Sequence, residues 1–353
     1  MRVYLYLLLC VFILAGSSCK KDNQSGDSDT NDTGKLPGTL YWNFAGDVGY
    51  EDFASKKYVK QKMKMGPGTS MFDAFDISWD NKKILLTVNL GSWTHDEKRF
   101  VFRENTDGLT SSKVDDGKNT FDFRYIWAGL SYTSAYISPN STYLAIGAQH
   151  FGDHPIAIVN TPTGETVSTW MVEGVSYLNY GAPVWTTDNT LYFRIGGNLY
   201  KSSPSNNYQS APHVLTLPEG TTSVTVNPQG TRLVFRNKKH LWMCNMDGTG
   251  LTQITTCETT DFISYDGEND PVFSPDGKYI AFTGATKRGV PWSDHDYPDG
   301  SWVAVVGGSY GYIVVIPSDG KLYDLDKINS GAVWLKDPNS SAGVPSSHWI
   351  IWR

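Results

Sequence analysis

Cysteine and charge are both scarce in this chain of 353 residues, with four Cys and charged residues at only 19%. Four cysteines cannot staple a chain of this length as a disulfide scaffold. None of them falls in a CxxC or Cys/His zinc spacing, which argues against a metal site built on thiolates. Basic residues are outnumbered, with 30 Lys and Arg against 36 Asp and Glu, for a formal charge of −6. A protein that tracks nucleic-acid phosphates needs the opposite sign, so nucleic acid is not an expected partner. Long hydrophobic runs are missing as well. The apolar stretch Val3–Leu14 is too short to cross a hydrocarbon core of about 30 Å and reads as the hydrophobic region of a secretory signal.

What is abundant points to one fold class. Hydrophobic residues make up 40% of the chain, including 12 Trp, 20 Tyr and 15 Phe, and 34 Gly and 17 Pro supply turns. This is the profile of turn-dense β structure with a large core.

Arg2, the apolar run and the small residues Ala15-Gly16-Ser17-Ser18 lead directly to Cys19. This arrangement resembles a bacterial lipobox, although Gly16 stands where Leu is usual. The resemblance implies a signal peptide over residues 1–18 and a lipid on Cys19 as the only membrane attachment. The alternative is an ordinary signal peptide that leaves Cys19 as an incidental thiol. Lys20 to Pro37 carries Asp22, Asp27, Asp29 and Asp32 with Leu36 as its one apolar side chain, too little to order itself. Residues 19–38 therefore read as a disordered tether with an end-to-end distance of roughly 20–25 Å. Lys20 occupies the position where lipoproteins kept at the inner membrane carry Asp. The expected location is thus the outer membrane of a Gram-negative bacterium, with the folded part periplasmic or surface-exposed.

From Thr39 onward a unit repeats. Its clearest copy is Pro271-Val272-Phe273-Ser274-Pro275-Asp276-Gly277-Lys278-Tyr279-Ile280-Ala281-Phe282. An extended segment meets a tight turn and then an apolar run without polar alternation, as a strand buried on both faces requires. Further copies place Ile84-Leu85-Leu86, Leu144-Ala145-Ile146, Leu191-Tyr192-Phe193 and Leu233-Val234-Phe235 after equivalent turns at Asn81, Ser141, Asn189 and Gly230. A second hairpin follows each unit, as at Asp107-Gly108, Thr163-Gly164, Asp247-Gly248 and Asp319-Gly320; near Asn189 it lacks its Asp-Gly. Two hairpins make four strands, and four-stranded units repeated around a ring describe a β-propeller.

These repeats resemble those of TolB-type, WD-repeat-like propellers, which implies a six-bladed periplasmic ring. The turn positions recur about every 49 residues, so residues 39–353 hold about six units, five of them complete. The sixth is expected to pair Trp349-Ile350-Ile351-Trp352 with N-terminal strands including Leu40-Tyr41-Trp42, closing the ring and removing its open edges. The expected fold is all-β, a six-bladed propeller with four-stranded blades over residues 39–353. Cys244 and Cys257 are expected to miss each other by roughly 13 Å along their strands and to form no disulfide.

The loops between second and third strands differ sharply. Aligned apolar positions are 8 residues apart from Leu191 to Leu199 and from Leu233 to Leu241, but 13 from Leu144 to Ala157, 17 from Ile84 to Val101 and 33 from Ile280 to Ile313. The three long loops share one face and collect Trp93, His95, His150, Asp153, His154, Trp292, Asp294, His295, Asp296 and Tyr297. Those side chains make a candidate ligand-binding surface, with aromatics to stack on sugars or peptide rings and carboxylates to accept hydrogen bonds. Polar enrichment common to any long loop is the competing explanation. No cofactor is expected. A divalent metal on these His and Asp side chains is the sharper alternative, although no HxH or HxxxH spacing supports it. Gly307-Gly308-Ser309-Tyr310-Gly311 matches a nucleophile elbow, but too little chain follows to build a hydrolase domain, so no catalytic residue is assigned.

Two functions lead, beside a third reading as a scaffold for an assembly, which would use the same fold and no small-molecule pocket. The first is a non-catalytic, lipid-anchored envelope propeller that binds a protein or glycan partner through the long-loop face. The alternative is a carbohydrate-active enzyme similar to oligogalacturonate lyases, using His and a divalent metal.

Overall fold

A computed structural model describes residues 33–44, 47–64, 72–89, 97–110, 123–126, 133–148, 156–161, 163–170, 181–257, 268–284, 311–327, 330–339, 343–346 and 349–353. The chain forms a six-bladed β-propeller. Blades 1 to 4 are four-stranded antiparallel sheets in chain order. Blade 1 comprises Phe72–Ile77, Lys83–Asn89, Glu97–Glu104 and Phe123–Ile126, and blade 2 comprises Thr133–Ile137, Tyr143–Ala148, Ile156–Asn160 and Thr166–Trp170. Blade 3 is built from Val184–Trp185, Leu191–Ile195, Asn198–Ser202 and His213–Thr216, and blade 4 from Thr221–Val226, Arg232–Asn237, His240–Asn245 and Thr252–Gln253. Blade 5 has Asn269–Phe273, Tyr279–Gly284, Gly311–Pro317 and Val333–Trp334, with Pro345–Ser346 also pairing its third strand. Blade 6 is composite, with Ile350–Trp352 innermost, followed by Thr39–Phe44, Asp47–Asp52 and Lys57–Lys64.

The first turns of blades 1, 2 and 5 are tied by the same short-range device. In blade 5, Ser274 Oγ donates to Asp276 Oδ1 at 2.7 Å and accepts the Tyr279 N–H at 3.0 Å, while Asp276 Oδ1 accepts the Lys278 N–H at 3.0 Å. Ser78 and Asp80 repeat the pattern in blade 1, and Ser138 and Asn140 repeat it in blade 2. The backbone then passes through the left-handed region at Asn81, Ser141, Asn189, Gly230 and Gly277, with φ between 58° and 72°. These are the turn positions that spaced the repeat in the sequence. Asn and Gly adopt that conformation at low cost, and the side-chain bonds hold the remainder.

The apolar runs behave as strands buried on both faces. Every residue of Leu191–Ile195 is buried, and Ile280, Ala281 and Phe282 have no exposed surface. Six apolar clusters result, one for each interface between adjacent blades; Tyr41, Met63, Ile77 and Leu86 share the cluster joining blades 6 and 1. Six clusters for six blades mean that the ring has no unpacked seam. Truncating one of these leucines or isoleucines to Ala costs roughly 2–5 kcal/mol.

The ring closes as expected, with Leu40 opposite Trp352, Tyr41 opposite Ile351 and Trp42 opposite Ile350. Thr39 and Arg353 exchange backbone hydrogen bonds at 2.6 and 3.0 Å, and the Trp352 indole donates to the Pro37 carbonyl at 2.6 Å. Leu36 is buried against blade 6. Gly38, at φ 72°, passes so close to Arg353 that a Cβ there would sit 2.1 Å from the Arg353 carbonyl oxygen.

Three details differ from a plain four-stranded repeat. Leu109–Thr110 adds a parallel fifth strand to blade 6, and Pro345–Ser346 adds an antiparallel one to the third strand of blade 5; both cover edges that would otherwise be open. Thr255–Thr256 and Tyr323–Asp324 form a short parallel pair near the seam between blades 4 and 5. In blade 3, where the second Asp-Gly is absent, a 3-10 turn over Pro204–Asn206 ending at left-handed Asn207 reverses the chain instead. Cys244 and Cys257 form no disulfide. Among the described residues no helix is long and apolar enough to cross a membrane.

Candidate functional site

All ten loop residues singled out by sequence, Trp93, His95, His150, Asp153, His154, Trp292, Asp294, His295, Asp296 and Tyr297, lie outside the described residues, as do Cys19 and Ser309. The strands that flank the long loops end on one side of the ring, and one end of an axial cavity lies on that side.

The innermost strands enclose a cavity of about 470 Å³ on the propeller axis. At one end stand the first turns of the blades, contributing Trp79, Pro228, Pro275 and Arg353. At the other end the innermost strands begin and the second strands finish, contributing Gly181, Thr222, Asn269, Asp270, Trp349, Arg194 and Arg236. The wall between is aromatic and aliphatic, with Tyr136, Trp185, Val226 and Ile351.

The two ends handle charge differently. At the turn end, Arg353 Nη2 lies 2.7 Å from Asp76 Oδ1, its Nε donates to the Ile77 carbonyl at 2.7 Å, and its guanidinium sits 4.9 Å from the Trp79 ring. Asp76 is fully buried and also accepts the N–H groups of Ile77 at 2.8 Å and Ile137 at 2.6 Å. Burial pushes the Asp76 carboxyl upward, against the downward pull of Arg353 and the two backbone donors. This charge pair is complete.

At the opposite end, Arg194 is only 5% exposed. Its Nη1 donates to the Gly196 carbonyl at 2.7 Å, its Nε has no partner, and no carboxylate of the described residues pairs with it. Desolvation holds its pKa below the ordinary guanidinium range. The side chain can lie there because residue 181 is glycine; a Cβ would come within 3.2 Å of Arg194 Cβ and 3.3 Å of its Nε. One blade on, Arg236 Nη1 donates to Asn269 Oδ1 at 2.9 Å.

The two arginines occupy the same repeat position. Leu191 pairs with Trp185 as Leu233 pairs with Val226, which places Arg194 and Arg236 three residues beyond equivalent points. By the same registers the other blades carry Thr87, Gly147, Thr283 and Asn43 there. Positive charge is therefore concentrated on adjacent blades 3 and 4, with Asp270 as the described acid lining the same end. A planar guanidinium fork without a carboxylate partner, beside aromatic walls, suits a carboxylate attached to a partly apolar body. Sequence reasoning missed both arginines, although aligning the repeats one residue beyond Phe193 and Phe235 exposes them.

A second cluster lies on the same side of the ring. His240, Cys257 and Glu268 bring one ligand-type atom each within 4.8 Å of the others. The lack of any zinc spacing in the sequence did not anticipate this meeting, because the three residues come from separate segments.

Comparison with solved structures finds other propellers. They include a candidate TolB of Agrobacterium tumefaciens, at 15% identity and TM-score 0.44, covering 81% of this chain and 86% of that one. TolB of Acinetobacter baumannii matches at 14% identity and TM-score 0.49, covering 80% of this chain and 62% of that one. The propeller domain of Cps50 (Swd1) from Myceliophteria thermophila matches at 12% identity and TM-score 0.43, covering 81% and 95%. These likenesses concern the fold alone. No protein-family model and no curated protein sequence matches the chain.

Proposed function

We propose that the chain is a non-catalytic binding propeller, anchored to the outer membrane of a Gram-negative envelope through lipid on Cys19, which takes a carboxylate-bearing segment of a protein or glycan partner into the long-loop end of its axial cavity. The observation that carries this reading is Arg194, a buried guanidinium lining the cavity without a carboxylate partner among the described residues. An arginine cannot escape burial by losing its proton, so an arriving carboxylate supplies what the fold leaves out.

The test is calorimetric titration of the full chain with an acidic peptide, its amidated counterpart and an oligogalacturonate. Binding of a carboxylate ligand, weakened roughly 10- to 100-fold by Arg194→Gln, is the expected outcome. Equal binding to the variant, or no preference for the carboxylate forms, overturns the reading. The same oligogalacturonate mixture read by absorbance tests the lyase alternative, since unsaturated product would make the protein an enzyme. Cys19→Ser is expected to move the protein out of the membrane fraction, and retention at wild-type levels removes the lipid from the account.

A further inference from the structure

We propose that His240, Cys257 and Glu268 form a binding site for one zinc ion that clasps the seam between blades 4 and 5. Glu268 has no exposed side-chain surface, and among the described residues its carboxylate faces the Cys257 thiol, Sγ to Oε1 at 3.3 Å, and His240 Nδ1, 3.1 Å from Oε2. A carboxyl group with no exposed surface, closed in by a thiol and an imidazole, is an expensive arrangement. Replacing their shared protons with a divalent cation turns all three groups into ligands and satisfies the charge.

The geometry suits a small tetrahedral ion. Zinc bonds of about 2.0–2.3 Å place neighbouring ligand atoms roughly 3.3–3.6 Å apart. The contacts of 3.3 and 3.1 Å are within a few tenths of that, and the three atoms lie no more than 4.8 Å apart. A sulfur, an imidazole nitrogen and a carboxylate together favour zinc over calcium or magnesium, which prefer oxygen alone. The His240 side chain is 24% exposed, which leaves a solvent-facing side for a water as fourth ligand.

The ligands are mounted on rigid backbone. The Glu268 N–H donates to the Lys239 carbonyl at 2.9 Å, directly beside His240. The Leu241 N–H donates to Thr255 Oγ1 at 2.8 Å, fixing the strand that leads to Cys257. His240 opens a strand of blade 4 and Glu268 precedes the innermost strand of blade 5. The ion would therefore join two blades one residue away from Asn269, the partner of Arg236.

Cobalt(II) titration of the full chain, followed by zinc displacement, tests the site. One equivalent of cobalt should bind with a near-ultraviolet thiolate-to-metal charge-transfer band and release about one proton per ion from the thiol near neutral pH. Cys257→Ser, a near-isosteric change at a half-buried position, should abolish that band. Cys244→Ser should retain it, because burial pushes the Cys244 thiol up to about 11. The His-rich loops can bind cobalt without producing a thiolate band, so the band separates the two. No charge-transfer band on the wild-type chain, or a band that persists in Cys257→Ser, overturns the proposal.

Discussion

Two arginines line the same axial cavity and meet opposite surroundings. Arg353 meets a buried carboxylate, a backbone carbonyl and a tryptophan ring, and joins blade 6 to blade 1. Arg194 meets the carbonyl of Gly196 and carries an Nε without a partner. A guanidinium whose charge is answered inside the fold is part of the scaffold. One whose charge goes unanswered in a cavity is available to a ligand. Arg194 is the deeper of the two, 5% exposed against 15% for the Arg353 side chain, and among the described residues Arg353 alone of the pair meets a carboxylate.

The largest test of the scaffold half is removal of residues 344–353. That deletion strips the innermost strand from blade 6 and exposes its neighbour, so loss of the cooperative unfolding transition is expected by circular dichroism and calorimetry. A folded truncated protein would mean that the composite blade does not hold the ring. Next in size is Arg353→Ala, which leaves Asp76 fully buried and short of its counter-ion. About 3–5 kcal/mol of stability should disappear. Arg353→Ala together with Asp76→Asn should recover part of that loss, and a double variant no better than the single one would show that the ion pair is not the cause.

Much of the fold was legible because its punctuation is local. Asn81, Ser141, Asn189, Gly230 and Gly277 announce their turns through residue type, and the left-handed backbone at each follows from the same chemistry. The site was legible only in part. Loop length and composition drew the search to His150, His295 and their neighbours, whereas Arg194 and Arg236 sit within the repeat body, where a position reads as structural until blades are compared. The bond between Arg353 and Asp76 spans 277 residues, and His240, Cys257 and Glu268 converge only when two blades pack. No spacing rule reaches across such separations.

A half-buried carboxyl sharpens the contrast, because it has an escape that arginine lacks. Glu51 lies on the second N-terminal strand of blade 6, and burial raises its carboxyl to about 7. The folded state thus favours the protonated form, so this contribution is fully present below about pH 4.5 and is lost as pH rises through about 7. Unfolding free energy should fall by on the order of 2 kcal/mol between pH 5 and pH 8 on account of this group. Glu51→Gln should flatten that part of the profile and stabilise the protein at pH 8. An unchanged pH profile in the variant would mean that Glu51 is solvated in the folded state.

Arg194→Met carries the smallest expected effect on stability and decides the comparison. If the side chain serves a ligand, its replacement removes a desolvated charge and keeps an unbranched apolar stem over Gly181. Stability should then stay within about 1 kcal/mol of the parent or rise, while carboxylate binding is lost. If instead the bond from Nη1 to the Gly196 carbonyl holds the blade 3 hairpin, the variant should lose more than about 2 kcal/mol, as expected for a charged hydrogen bond removed from a buried acceptor. Denaturant titration alongside peptide calorimetry distinguishes the two. A large loss of stability would place Arg194 beside Arg353 in the scaffold and erase the difference between the two ends of the cavity.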